Sequence, residues 1–132
     1  MRSELTFWFQ QSASGVSVLD QGGHALILLD GKQIGYINYN SGYCEDFPAF
    51  EVPHNGAYFR YINVSPAFRG KGYGTKAFYR FQSSMRNKGF RVLYAIPETK
   101  RLEKYWERLG FQNTHVRTPK GTHGRFVFSK RI

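Results

Sequence analysis

Apolar and polar residues alternate along much of the first half of the chain with the period of a β-strand. This alternation predicts strands at Leu5–Phe9, Gly15–Leu19, His24–Leu29, Gln33–Tyr39 and Ala57–Val64. Asp30-Gly31 separates the third strand from the fourth and favours a tight hairpin turn, because this dipeptide tolerates positive φ. The segment 40–55 is a polar loop that contains Pro and Gly. The first half is therefore predicted to form strands joined by turns and one longer loop.

The second half of the chain shows the period of a helix at two places. From Tyr73 to Met85 apolar residues recur at helical spacing, and Asn87-Lys88-Gly89 ends this predicted helix. A second helix is predicted from a cap near Thr99 to Gly110, with an apolar stripe of Leu102, Tyr105, Trp106 and Leu109. Strands are predicted at Arg91–Ile96, Phe111–Arg117 and Arg125–Phe128, with a turn at Pro119-Lys120-Gly121. We therefore expect a mixed α/β fold, with residues 1–132 as a single domain.

Composition restricts the classes of protein to which the chain can belong. No stretch approaches the ~20 apolar residues that a membrane-spanning helix needs, and the N-terminus does not resemble a signal peptide. The single cysteine, Cys44, excludes an internal disulfide and is typical of a reducing compartment. We therefore expect a cytoplasmic protein with no membrane segment and no metal site, either a monomer or a homodimer.

A glycine-rich segment lies between the strand that ends near Val64 and the helix that begins at Tyr73. Its sequence is Arg69-Gly70-Lys71-Gly72-Tyr73-Gly74-Thr75. The glycines leave the backbone N–H groups free to converge on one anion, and the helix adds its unpaired first-turn amides and the positive end of its dipole. Arg69 and Lys71 supply charge beside these groups. The segment therefore predicts a binding site for a ligand that carries phosphate.

The spacing of the glycines separates this segment from two other phosphate-binding motifs. A Walker motif requires its first glycine where this chain has Ala67. The dinucleotide fingerprint fits Gly72–Ala77, and Glu98 lies near the distance expected for a ribose-binding carboxylate. That fingerprint, however, has its glycines immediately after the strand, whereas Ser65–Arg69 intervenes here. The glycine pattern alone is therefore weak evidence for any one ligand.

The surrounding sequence makes the assignment more specific. Residues 61–74 resemble motif A of the GNAT N-acyltransferase superfamily, a strand ending in V-x-P followed by [RQ]-x-x-G-x-[GA] at the start of a helix. Arg69, Gly72 and Gly74 occupy its three defining positions. About thirty residues later, Tyr105–Phe111 looks like the second signature of the family, a helix that ends in aromatic-E-[KR]-L-G-F. The resemblance extends over roughly residues 24–130.

The resemblance implies a fold, an activity and a set of binding residues. The fold would be GNAT-like, a mixed and mainly antiparallel central sheet with two main helices and splayed strands that hold acyl-CoA. The activity would be transfer of an acetyl group from acetyl-CoA to an amine. The pyrophosphate would bind to Gly70–Thr75, and the pantetheine to the backbone of Ile62, Asn63 and Val64. Thr99 stands where the family often has an asparagine that contacts the cofactor.

The residues that would move protons are less well matched to the family. Some members use a glutamate as general base, but the matching position in this chain is Tyr58. Glu51 or His54 is the alternative, and either could accept the proton of the amine directly or through a water molecule. Each of these two residues fits a solvated loop position better than the role of a base. Many members use a tyrosine as general acid, and its position here is Trp106. Tyr105 serves as the acid if the register is shifted by one, and otherwise packs in the core.

The N-terminal region departs from the family pattern. Full-length members have two helices between the first two strands, which form one wall of the acceptor site, but only Gln10–Gly22 is available here. The wall is therefore missing, or is supplied by the loop 40–55 or by another subunit. An open cleft would suit a macromolecular acceptor. An amine on a protein, on an aminoacyl-tRNA or on a small molecule all remain open.

The net charge of +10 is high for 132 residues. Acyl-CoA accounts for part of it, and the surplus suggests nucleic acid or an acidic protein as partner, or a basic surface without a partner. Two alternatives to acetyl transfer therefore follow. The first is a catalytically silent CoA-binding module, and the second is a basic nucleic-acid-binding module on the same fold. The candidate stacking platforms for nucleic acid are Tyr36, Tyr39, Phe59 and Tyr61.

Overall fold

The computed structural model describes residues 15–41, 55–118 and 125–132. The predicted strand Leu5–Phe9, the loop residues Glu51 and His54, Cys44 and the turn at Pro119-Lys120-Gly121 lie outside the described residues. The described chain belongs to two compact units. The first unit comprises residues 15–38 and 61–83, and the second comprises residues 39–41, 55–60, 84–118 and 125–132.

Strands and helices follow one another in the order that the sequence predicts. They are β1 (Val16–Asp20), β2 (His24–Leu29), β3 (Lys32–Ser41), β4 (Gly56–Val64), α1 (Tyr73–Asn87), β5 (Val92–Ala95), α2 (Lys100–Arg108), β6 (Gln112–Arg117) and β7 (Phe126–Arg131). Every strand and helix predicted from residue 15 onward is confirmed, although β7 runs further than expected. In the described part of the chain, neither helix is long and apolar enough to cross a membrane.

In the first unit the hydrogen-bonded strand order is β1-β2-β3-β4. β1 pairs with β2, and β2 with β3, in antiparallel register. The turn between β2 and β3 has positive φ at both Asp30 and Gly31, which confirms the tight hairpin. β3 carries one extra residue at Ile34, because Ile27 pairs with Gly35 and Leu28 with Gln33. The buried side chains of this unit are Val16, Ala25, Ile27, Ile34, Ile37, Ala77, Phe78 and Phe81.

In the second unit the strand order is β4-β5-β7-β6. β5 pairs in parallel with Gly56–Tyr58 of β4 and ends at Ala95, whereas β4 continues to Val64. β7 pairs in antiparallel register with β5 on one side and β6 on the other. The mixed, mainly antiparallel sheet with two helices is therefore confirmed. The β6–β7 ladder is irregular between Asn113 and Arg117.

Both helices end in a Schellman motif, which explains the glycines that follow them. At the end of α2, the Gly110 N–H donates to the Glu107 carbonyl at 2.9 Å and the Phe111 N–H to the Trp106 carbonyl at 3.0 Å. Gly110 has φ of 99°, and Gly89 after α1 has φ of 101°. These left-handed conformations favour glycine, so the predicted stops at both positions are confirmed.

The core of the second unit is built around Trp106. Its ring is buried and lies 5.0 Å from the rings of Phe59 and Phe111, edge to face in both pairs. Leu102 was predicted on the same apolar stripe, but 40% of its surface is exposed, so that part of the prediction is wrong. Leu102 lies one helical turn before Trp106, and the apolar side of α2 is buried only from Trp106 onward.

Two titratable groups of the second unit are shifted by burial. Burial lowers the pKa of Lys130 on β7, whose Nζ donates to the Leu109 carbonyl at 2.7 Å and so caps the end of α2. Burial also raises the pKa of Tyr94 on β5, which packs against Tyr58 and Val127. Both groups support the packing of this unit.

Candidate functional site

The glycine-rich segment forms the connection from the end of β4 to the start of α1, wholly within the first unit. A single turn of 3₁₀ helix, Pro66–Phe68, follows the strand, and its first residue is a proline whose fixed φ suits that position. Gly70 and Gly72 then adopt φ of 76° and 81°. These two left-handed residues reverse the chain, so that α1 begins directly after Gly72.

The amides of this connection are available to a ligand. The Lys76 N–H donates to the Gly72 carbonyl at 3.1 Å and makes the first backbone hydrogen bond of α1. Within residues 15–41, 55–118 and 125–132, none of the N–H groups from Gly70 to Thr75 has a backbone acceptor. A Cβ atom at Gly70 or Gly72 would meet no described atom within 4 Å, so the space beside these amides is open. Such a cluster of donors at a helix start fits an anion.

Arg69 fixes the connection to the strand. Its Nε donates to the Val64 carbonyl at 2.6 Å, and its own N–H donates to the Pro66 carbonyl at 3.3 Å. The sequence predicts Arg69 as a cofactor-binding residue that supplies charge, and the structure adds a positioning role. The side chain holds the last residue of β4 beside the glycines, so the strand end and the turn form one site.

Gly35 of β3 also lies at the site, although none of the sequence motifs includes it. A Cβ atom at this position would overlap the Asn63 carbonyl oxygen and lie 3.0 Å from the Val64 Cα. The Ser65 N–H donates to the Ile34 carbonyl at 2.8 Å just beyond this contact. Only glycine therefore lets β3 support the end of β4 at this distance. A glycine inside a strand is the signal that could have indicated it.

The predicted acid and the predicted cap residue lie in the second unit. Tyr105 is half-buried on α2, with its ring 5.5 Å from Trp106 and the Arg108 guanidinium carbon 5.9 Å from its ring centre. Thr99 is the N-cap of α2, because its Oγ1 accepts from the Leu102 N–H at 3.1 Å. The roles of Tyr105 and Thr99 toward a ligand stay predictions, as do those of Glu51 and His54.

Two of the four proposed stacking platforms are buried, and the side chain of the fourth, Tyr61, lies outside the described part of the structure. Tyr39 and Phe59 are 6% and 1% exposed, so assigning them to nucleic-acid stacking was wrong. Their alternating positions on β3 and β4 turn them into the core. Tyr36 is half-buried, with its ring 5.3 Å from that of His24. Tyr58, which the sequence comparison places where some GNAT members have a glutamate base, is also buried.

Comparison with known proteins agrees with this geometry. The model of the acetyltransferase (GNAT) family matches residues 2–111 of the chain. A comparison with curated proteins finds no match. Among solved structures, an acetyltransferase from Thermus thermophilus has a TM-score of 0.61 at 20% identity, over 83% of this chain and 63% of that chain. The chain therefore spans less than two thirds of the length of that protein.

Two further structures have the same fold. One is the PaiA N-acetyltransferase from Thermoplasma acidophilum in complex with coenzyme A, with a TM-score of 0.60 and 15% identity over 98% of this chain and 70% of that chain. The other is GCN5 from Tetrahymena, with a TM-score of 0.58 and 18% identity over 86% of this chain and 70% of that chain. At these identities the likeness shows the fold alone.

Proposed function

The chain belongs to the acetyltransferase (GNAT) family, and we propose that it transfers an acetyl group from acetyl-CoA to an amine acceptor. The observation that carries the proposal is the row of amides from Gly70 to Thr75, which have no described backbone acceptor. A diphosphate that accepts from these groups also meets the positive end of the α1 dipole. Acetyl-CoA supplies the activated thioester, and the residues of the chain bind and orient it.

The strand end beside the turn is proposed to hold the pantetheine through backbone hydrogen bonds. The Asn63 carbonyl lies against Gly35 of β3, and the Val64 carbonyl accepts from Arg69. Backbone groups of successive residues point to opposite sides of a strand, so those of Ile62 lie on the same side as those of Val64. The pantetheine amides would extend along this side.

The proposed reaction is direct attack by the amine. Its nitrogen forms a bond to the thioester carbonyl carbon, the carbon–sulfur bond breaks, the amine loses one proton and the CoA thiolate gains one. Glu51 or His54 would accept the first proton, and Tyr105 would donate the second. A backbone N–H of β4 would stabilise the oxyanion. Most of the rate increase would come from holding the two substrates together.

Arg69→Lys tests the bond that joins the turn to β4. Lysine keeps the charge but lacks the planar guanidinium whose Nε donates to Val64. We expect the dissociation constant for acetyl-CoA, measured by calorimetric titration, to rise about tenfold, which is about 1.4 kcal/mol. Arg101→Lys, an exposed position on α2, is the matched control and should bind as tightly as the unmodified protein. Wild-type affinity in Arg69→Lys would show that its charge alone matters.

Tyr105→Phe tests the proposed acid. Removing the hydroxyl should lower kcat about 100-fold, within the range of general acid catalysis, while the acetyl-CoA dissociation constant stays unchanged. Tyr94→Phe, a half-buried tyrosine on β5, provides the same chemical change at a position without a proposed role. A Tyr105→Phe enzyme with full kcat would leave this tyrosine as a packing residue.

One observation favours a second function, that of a CoA-binding module without chemistry. Trp106 stands where many members of the family have a tyrosine acid, and its ring is buried in the core between Phe59 and Phe111. Tyr58, in place of the glutamate base, is buried as well. A chain with both changes can bind the cofactor and still lack the groups that move protons.

An acceptor screen distinguishes the two functions. Release of free CoA thiol from acetyl-CoA is measured with lysine-containing peptides, aminoacyl-tRNA and small amines, one class at a time. We expect release that depends on one acceptor class, with the acetylated product identified by mass spectrometry. Tight binding of acetyl-CoA without release for any acceptor would favour the silent module. Failure to bind acetyl-CoA would contradict both functions.

A further inference from the structure

Positive charge is concentrated in one part of the chain. From Val52 to Pro97 the sequence contains eight Lys and Arg residues and no Asp or Glu. They are Arg60, Arg69, Lys71, Lys76, Arg80, Arg86, Lys88 and Arg91. This stretch therefore contributes +8 to a net charge of +10. Arg69 and Lys71 belong to the glycine turn, but the others extend well beyond any site for a single diphosphate.

One exposed surface collects part of this charge, and we call it the outer α1 face. It consists of Lys76, Tyr79, Arg80 and Ser83, all exposed and all in the first unit. Residues spaced three and four apart lie on one side of a helix, so these four side chains are neighbours. Tyr79 is 43% exposed, although large aromatic side chains are usually more deeply buried. The opposite side of α1 carries the buried Ala77, Phe78 and Phe81.

The composition of the outer α1 face decides between classes of partner. Protein interfaces have an apolar core, but Tyr79 is the one large apolar side chain exposed on α1, and no aliphatic side chain accompanies it. Single-stranded nucleic acids, by contrast, are bound by cations along the backbone and by aromatic rings on which bases stack. We propose that the outer α1 face binds single-stranded nucleic acid. Lys76 and Arg80 contact phosphates, Ser83 donates a hydrogen bond to the backbone, and Tyr79 stacks on a base.

This binding does not depend on acetyl transfer, and its test uses no acetyl-CoA. The probe is a fluorescein-labelled 20-nucleotide oligouridine, and anisotropy is measured with the full chain from 50 to 300 mM NaCl. The logarithm of the association constant falls linearly with log[salt], and each phosphate contact on a single strand adds about 0.7 to the magnitude of this slope. The variant Lys76→Gln/Arg80→Gln should therefore reduce that slope by about 1.4 and weaken binding at least about tenfold. Tyr79→Ala should weaken binding at least about fivefold without a change of slope.

The matched control is Arg101→Gln/Lys104→Gln on the exposed side of α2, which removes the same charge elsewhere. Its affinity and salt slope should change by less than half as much as those of the α1 variant. Equal losses in both double variants would mean that net charge alone attracts the RNA, and would overturn the proposal. Thermal unfolding shows whether each variant is folded, and Tyr79→Ala tests the surface with its charge intact.

Three further results would each overturn the proposal. The first is no binding of oligouridine at 50 mM NaCl. The second is displacement of the RNA by saturating CoA, which would place the phosphates in the glycine turn. The third is competition by polyglutamate as effective as that by unlabelled oligouridine, together with unchanged binding by Tyr79→Ala. That last outcome would identify the surface as one for an acidic protein.

Discussion

Gly72→Glu is expected to weaken acetyl-CoA binding by at least about 100-fold, which corresponds to about 2.8 kcal/mol. Gly72 has φ of 81°, and its missing side chain leaves open space beside the amides of the turn. A glutamate there would put a carboxylate where the pyrophosphate is proposed to bind, and like charges at close range cost several kcal/mol. Calorimetric titration with acetyl-CoA measures the change directly.

Gly22→Glu is the matched control for this variant. Gly22 also has φ of 81°, and a Cβ atom there would also meet no described atom within 4 Å. It lies in the turn between β1 and β2, so the same residue change introduces the same backbone strain and the same charge. Its acetyl-CoA affinity should match that of the unmodified protein. Equal losses in both variants, or no loss in Gly72→Glu, would remove the assignment of the turn to the cofactor.

Gly72→Asn separates charge from conformation. Asparagine adopts positive φ more readily than other non-glycine residues, and it is neutral. We expect its affinity to lie between those of the unmodified protein and of Gly72→Glu. The three titrations together then assign the loss to the carboxylate or to the backbone.

The parts of the fold that could be predicted from sequence are those that depend on local pattern. The stops after α1 and α2 follow from Gly89 and Gly110, since a left-handed residue after a helix favours glycine. The β2–β3 turn follows from Asp30-Gly31 for the same kind of reason. The glycine turn could also be predicted, because the spacing of its glycines can be matched to known motifs from the sequence alone.

The parts that could not be predicted depend on which face of an element is buried. Tyr39 and Phe59 are of the residue types that also form exposed stacking surfaces, and only the folded structure shows that both side chains lie in the core. Tyr79, by contrast, remains exposed on α1. The Arg69–Val64 hydrogen bond likewise follows from the path of the 3₁₀ turn, which one sequence does not specify.

Gly35 illustrates the same limit at the site itself, and Gly35→Ala is expected to destabilise the protein by about 3 kcal/mol. The added Cβ would overlap the Asn63 carbonyl oxygen and lie 3.1 Å from the Asn63 carbonyl carbon. These are backbone atoms, so β3 or β4 must move, and overpacking of this kind costs about 1–3 kcal/mol or more. The melting temperature should fall by roughly 10 °C, measured by circular dichroism.

Gly22→Ala is the control that separates this steric effect from the general cost of replacing a glycine. Its Cβ meets open space but its φ is positive, so the substitution should cost only about 1–2 kcal/mol. Because the clash falls on the end of β4, Gly35→Ala should also weaken acetyl-CoA binding at a temperature where the variant is folded, whereas Gly22→Ala should not. A Gly35→Ala protein as stable as the control would mean that the end of β4 moves away from β3 at little cost in stability. Lower stability with unchanged affinity would mean that the end of β4 does not position the cofactor.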